Sequence, residues 1–276
     1  PLPLAWNLEA PLREVQRAGP GPLSGLLNML FTERVGDPRL VFFQPYDPEK
    51  IPVVLIHGLM STPQMWVEVL RTLLRDEVIA ANYQFWGFYY PTGKPVPLSA
   101  LQLREALRPA ISGDAGMRPI LIGHSMGGIL ARAAVTDFPS TAAEAVLPGV
   151  TRLPESSRVR RALEFEALPE ISRVVYLATP HRGSAIADRK IGGIGTSLIR
   201  LPRAHRPEAV SERVVPAGHG VQAHPEAITE LRRILLLHLK ESGRSTRAPG
   251  PVSLKLFRLP FLEPAINSQG AAPGGS

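Results

Sequence analysis

The chain has 276 residues, 44% of them apolar, enough to bury the core of one large α/β domain or two small ones. It contains no cysteine, which excludes disulfides, thiolate metal sites and cysteine nucleophiles. The net charge of +7 rests on 31 basic residues, 26 of them arginine, scattered along the chain without an aromatic–basic stripe. That pattern argues against nucleic-acid binding and is compatible with attraction to an anionic membrane surface or substrate.

No apolar run approaches the ~20 residues needed to span a bilayer. Because it begins at Pro1 rather than Met, the sequence is expected to be a fragment or a processed product. Residues 1–46 are rich in Pro, Gly and Leu and read as an N-terminal extension. Within it Gly19-Pro20-Gly21-Pro22 is a breaker, Leu23 to Phe31 predicts a short helix, and Leu40 to Phe43 predicts a strand at a sheet edge. A domain over residues 47–241 follows, then a tail over 242–276 with few apolar anchors outside Leu254 to Leu262.

Ile51 to Ile56 is a fully apolar strand that runs into His57-Gly58-Leu59-Met60. Ser61 to Gln64 fits a capping box with Pro63 in the first turn. Met65, Trp66, Val69, Leu70, Leu73 and Leu74 then mark one apolar helix face. Tyr83 to Tyr90 predicts an aromatic strand. Ser99 with Gln102 predicts the cap of a helix that reaches about Ile111 and is closed by Ser112-Gly113-Asp114.

The next stretch organises the chain. Ile120 to Ile122 is the end of a buried strand, and Met126, Ile129, Leu130, Ala133 and Ala134 have helical spacing. Ser125 stands at the junction, framed as Gly123-His124-Ser125-Met126-Gly127 with a further glycine at 128. A serine on so sharp a turn has its hydroxyl pushed out above the sheet, and the glycines remove side chains that would collide. The following helix aims free N–H groups and its positive end at the position where charge develops when a serine attacks a carbonyl. Three strand–helix units in succession predict a mostly parallel, doubly wound α/β sheet with helices on both faces.

Residues 138–170 lose clear periodicity and are broken by Pro139, Pro148, Pro154 and Pro169; they read either as a lid over the site or as a plain surface excursion. Val174 to Ala178 predicts the next strand, ending in Thr179-Pro180-His181-Arg182-Gly183-Ser184. His181 and Arg182 either line the site or belong to a polar loop beside it. Arg213 to Val215 predicts a short last strand, followed by the glycine-flanked His219. His219 is the candidate general base, C-terminal to the serine in chain order. His224, directly before Pro225, starts a helix that runs to about Lys240, with Ile228, Leu231, Leu235 and Leu239 on one face.

Together the His-Gly-Leu loop at 57–59, Gly-His-Ser-Met-Gly-Gly at 123–128, Ala-Thr-Pro-His-Arg-Gly-Ser at 178–184 and Gly-His at 218–219 resemble the α/β-hydrolase superfamily. The narrower resemblance is to its lipase and GPI inositol-deacylase-like branch. It implies ester hydrolysis without a cofactor or metal, through a Ser–His–acid triad, with Ser125 as nucleophile and His219 as base. The backbone N–H groups of Leu59 and Met126 would form the oxyanion hole. One departure is marked. The family carries its triad aspartate on a strand and loop between the strand at 174–178 and the one at 213–215, but no aspartate lies between Gly192 and Glu212. Asp188, Glu208 and Glu212 are the candidate substitutes. Otherwise a segment with one strand is missing.

Two functions compete. One is a serine hydrolase of carboxylic esters, small-molecule or lipid-like, with Leu59, Met60, Trp66 and Met126 near the site favouring an acyl chain. The other is a catalytically weak module of the same fold that binds a lipid or protein, motivated by the unassigned acid.

Overall fold

The computed structural model describes residues 37–111, 117–181 and 213–243. The helix expected at Leu23 to Phe31, the Ser112-Gly113-Asp114 turn, Arg182, and the acid candidates Asp188, Glu208 and Glu212 lie outside the described residues.

Five strands form one sheet: β1 (Arg39–Phe42), β2 (Ile51–Ile56), β3 (Tyr83–Tyr89), β4 (Ile120–His124) and β5 (Arg173–Leu177). Their spatial order is β1-β3-β2-β4-β5. β1 lies antiparallel to β3 at the edge, as expected for Leu40 to Phe43, and the other pairings are parallel. The helices are α1 (Val67–Leu73), α2 (Glu77–Asn82), α3 (Val96–Ile111), α4 (Met126–Ala134), α5 (Ser140–Val146), α6 (Arg158–Leu163) and α7 (Pro225–Glu241).

The central strands read as unbroken apolar runs because both faces are covered. Val54, Ile56, Phe88 and Leu121 point to one face, where they meet Leu103 and Leu107 of α3 and Ile129, Leu130 and Ala133 of α4. Val53, Leu55, Phe85, Ile120 and Ile122 point to the other, against Val69, Leu70 and Leu73 of α1 and Ile228, Leu231, Leu235 and Leu239 of α7. The alternation of successive side chains thus splits one sequence run between two cores.

Two helix starts differ from expectation, and proline is the cause in both. Pro63 opens a 3₁₀ turn (Pro63–Trp66) and its ring holds Thr62 extended, so Thr62 is the N-cap and Ser61 falls one residue too early for a capping box; no side-chain cap bond forms. At α3, the helix begins at Val96 with Pro97 in its first turn, so Ser99 is already inside it and its amide donates to the Pro95 carbonyl at 3.1 Å.

Arg213 to Val215 is not a strand. The segment is short, ends at Pro216, and leaves Val214 85% exposed with no neighbour to pair with among the described residues, while Arg213 faces Glu226 and Glu230 of α7. Among the described residues the sheet therefore ends at β5.

The 138–170 segment holds α5, a 3₁₀ turn (Val150–Arg152), α6 and a bridge between Phe138 and Phe165. It is tied to the flank of the domain: Leu168 N–H donates to the Ala134 carbonyl at 2.8 Å, and Arg161 pairs with Glu105 of α3. Arg104 lies over the Phe165 ring at 3.7 Å.

Candidate functional site

The site forms where β4 turns into α4. Ser125 has φ 52 and ψ −121, a conformation that side-chain-bearing residues rarely adopt. The strain is held by neighbours on every side. Ser125 N–H donates to the Leu177 carbonyl of β5 at 2.9 Å, and its own carbonyl accepts from Gly128 N–H at 3.0 Å.

Each glycine of the motif has a steric reason. A Cβ at Gly123 would lie 2.5 Å from backbone atoms of Gly128, and one at Gly127 would lie 2.3 Å from the Ile56 carbonyl oxygen. At Gly128 the obstacle is the Thr179 hydroxyl at 1.9 Å, so the loop after β5 sits directly on the start of α4. Gly58 passes beside the serine itself, where a Cβ would come within 2.9 Å of the Ser125 Cβ. The His57-Gly58-Leu59 loop and the elbow are therefore in van der Waals contact. Met126 is the first residue of α4, where amides have no intrahelical carbonyl to reach. Leu59, next after Gly58, is partly buried against the core, and Met60 N–H is held by the Thr92 hydroxyl at 3.2 Å.

His219, 94 residues on, brings its Nε2 to 3.0 Å from Ser125 Oγ. Its ring is solvent-exposed, in the loop after Pro216. Among the described residues no carboxylate hydrogen-bonds it. His224 caps α7, its Nδ1 accepting from Glu226 N–H at 3.3 Å. His181 stands edge-on to Tyr176 at 4.6 Å, its pKa lowered first by desolvation and then by the charge of Arg132. The structure thus brings together Ser125 and His219, with Met126 next in the chain and the Gly58 backbone alongside, while His224 serves the helix and His181 an aromatic contact.

His57 and Trp66 are both fully buried. Trp66 belongs to the core beneath α1 and cannot meet a substrate, contrary to the sequence expectation. Met60 is 47% exposed and is the apolar side chain this loop presents to solvent.

The His57 ring stacks on Tyr90 at 4.4 Å, and the Tyr90 hydroxyl donates to the His57 carbonyl at 2.7 Å. Its Nδ1 donates to the Gly58 carbonyl at 3.0 Å, and Nε2 has no partner among the described residues. Burial pushes its pKa from 6.5 down to about 4, against the pull of the Gly58 carbonyl. The folded state therefore refuses a proton that the unfolded chain accepts. Stability is intact above pH 6.5, falls as pH drops through 6.5, and has lost the whole contribution below about pH 4. The expected loss is about 3 kcal/mol. Urea unfolding at pH 7 and pH 4 should show a stability difference larger by that amount in the wild type than in His57→Phe.

His124 was not singled out from the sequence. It is buried, and its Nε2 donates to the His219 carbonyl at 2.7 Å. Its place immediately before the serine was the available signal, but its partner is 95 residues away. A cavity of about 1090 Å³ lies elsewhere, between Phe138, Phe165 and the N-terminal end of β5, and contains neither Ser125 nor His219.

Residues 53–181 match the model of the Alpha/beta hydrolase family. Among solved structures the chain is similar to the lipase BlEst2 of Bacillus licheniformis in mature form, with 20% identity and a TM-score of 0.36 over 60% of this chain and 64% of that one. It is also similar to the naproxen esterase of Bacillus subtilis, with 12% identity and a TM-score of 0.37 over 86% of this chain and 100% of that one. For the carboxylesterase CesB of Bacillus subtilis the identity is 12% and the TM-score 0.38, over 83% of this chain and 98% of that one. No curated protein matches. With residues 53–181 matching the Alpha/beta hydrolase family, and a mostly parallel sheet covered by helices on both faces, the chain has the α/β-hydrolase fold.

Proposed function

We propose that the protein is a serine hydrolase of carboxylic esters. The observation that carries this reading is the 3.0 Å approach of His219 Nε2 to the hydroxyl of Ser125, a residue held at φ 52 on a strand-to-helix turn. In this reading Ser125 Oγ attacks the ester carbonyl as His219 takes its proton, and the proton passes to the departing alkoxide. The Leu59 and Met126 amides hold the oxyanion of each tetrahedral intermediate. Water, deprotonated by His219, then attacks the acyl carbonyl; the bond to Ser125 Oγ breaks, the proton returns from His219 to that oxygen, and the acid leaves. The exposed Met60 beside the site favours an acyl chain over a charged group at the mouth. The resemblance of residues 123–128 and 178–184 to GPI inositol-deacylase-like lipases supports a lipid-like ester, reached at a membrane surface.

A fluorophosphonate probe tests the nucleophile. It should label the chain once, on the peptide bearing Ser125, and Ser125→Ala should abolish labelling without changing the circular dichroism spectrum. Equal labelling of the alanine variant would remove Ser125 from the mechanism. An unlabelled wild type would favour the alternative of a weakly catalytic module that binds a lipid or protein.

A further inference from the structure

We infer that His124 is a positioning residue that sets the reach of His219 toward Ser125 by holding the His219 backbone carbonyl. This rests on the reading of His219 as the general base.

The loop that carries His219 has little else to fix it. Gly218 and Gly220 flank the histidine, and a Cβ on either would meet nothing within 4 Å. Its local bonds, such as Ala217 N–H to the Val215 carbonyl at 2.8 Å, stay inside the loop. The described residues before it, Arg213 to Val215, are not a strand, so among the described residues no sheet ladder anchors it from that side. Among the described residues, the bond from His124 Nε2 to the His219 carbonyl, 2.7 Å long, is the one hydrogen bond that joins backbone 216–220 to the sheet.

The chemistry of that bond is unambiguous. A carbonyl only accepts, so Nε2 of His124 carries the proton. Its Nδ1 is then a bare lone pair, buried and without a partner among the described residues. It sits against the Gly58 backbone, where a Cβ would come within 3.0 Å. The two imidazoles of His124 and His219 are 4.9 Å apart. His124 is the last residue of β4 and Ser125 is the next, so one rigid piece of backbone carries both the nucleophile and the anchor of its base. Moving the 219 carbonyl moves the Cα that bears the ring, and a misplacement of about 1 Å in a reacting pair costs about 10²-fold in rate.

The test compares His124→Asn with His124→Gln. The glutamine amide reaches the place of Nε2 and can still donate to the carbonyl; the asparagine amide stops short of it. Both are polar and similar in bulk, so a loss of folding would strike both alike. Short-chain ester hydrolysis should show kcat reduced about 10²-fold in His124→Asn with KM unchanged, and restored to within about threefold of wild type in His124→Gln. Equal kcat in the two variants, whether both normal or both low, overturns the inference. His219→Ala, measured alongside, separates the two levels. If it keeps wild-type turnover, the base assignment fails and the positioning role with it. If it loses turnover while the asparagine and glutamine variants match, only the positioning role fails.

Discussion

Replacing His219 by alanine should lower kcat for a short-chain ester by about 10⁴–10⁶-fold, because removing the base from such a pair costs nearly as much as removing the pair. The residual rate, about 10³–10⁴ above that in water, would come from the oxyanion hole and substrate binding. The melting temperature should not move, since the His219 ring is exposed. Turnover within tenfold of wild type would defeat the base assignment. The same assay addresses the acid. Asp188→Asn, Glu208→Gln and Glu212→Gln remove the three candidate carboxylates one at a time without changing bulk. A fall of about 10⁴ in one of them would identify the residue that orients the imidazole. No fall in any would exclude these three carboxylates as the partner of His219.

The strands and the elbow were legible in the sequence for a shared reason. A parallel sheet covered on both faces needs uninterrupted apolar runs, so Ile51–Ile56 and the run ending at His124 announce themselves without any long-range information. The glycines around Ser125 were legible as a group, but their separate causes were not. Gly127 is constrained by the end of β2 and Gly128 by Thr179, neighbours that only the fold supplies. The same limit applies to Trp66, whose helical spacing placed it on an apolar face but could not say that this face is sealed beneath α1. Arg213 to Val215 has strand composition, yet strand propensity means little without an adjacent strand to pair with. The role of His124 depends on a contact between residues 95 apart in sequence, and no local pattern encodes it.

Gly127→Ala is expected to be the most damaging single-methyl change in the domain, and its effect should fall on folding before catalysis. The added Cβ would stand 2.3 Å from the Ile56 carbonyl oxygen and 2.5 Å from that of His57. Both obstacles are backbone at the end of β2, the central strand, paired on one side with β3 and on the other with β4. Neither can rotate away as a side chain would. Relief requires α4 to lift off the sheet, which would pull Met126, Ile129 and Leu130 from the core and carry Ser125 out of line with His219. Overpacking of this kind costs about 1–3 kcal/mol where neighbours can adjust, and more where they cannot. A loss of at least about 3 kcal/mol is expected, read as a lower urea midpoint with unchanged slope. Gly220→Ala is the matched control. Its Cβ would meet nothing within 4 Å and its φ of −79 suits any residue, so its midpoint should stay level or rise slightly as the unfolded chain loses freedom. Equal midpoints for the two variants would mean that α4 is not seated on β2 as described.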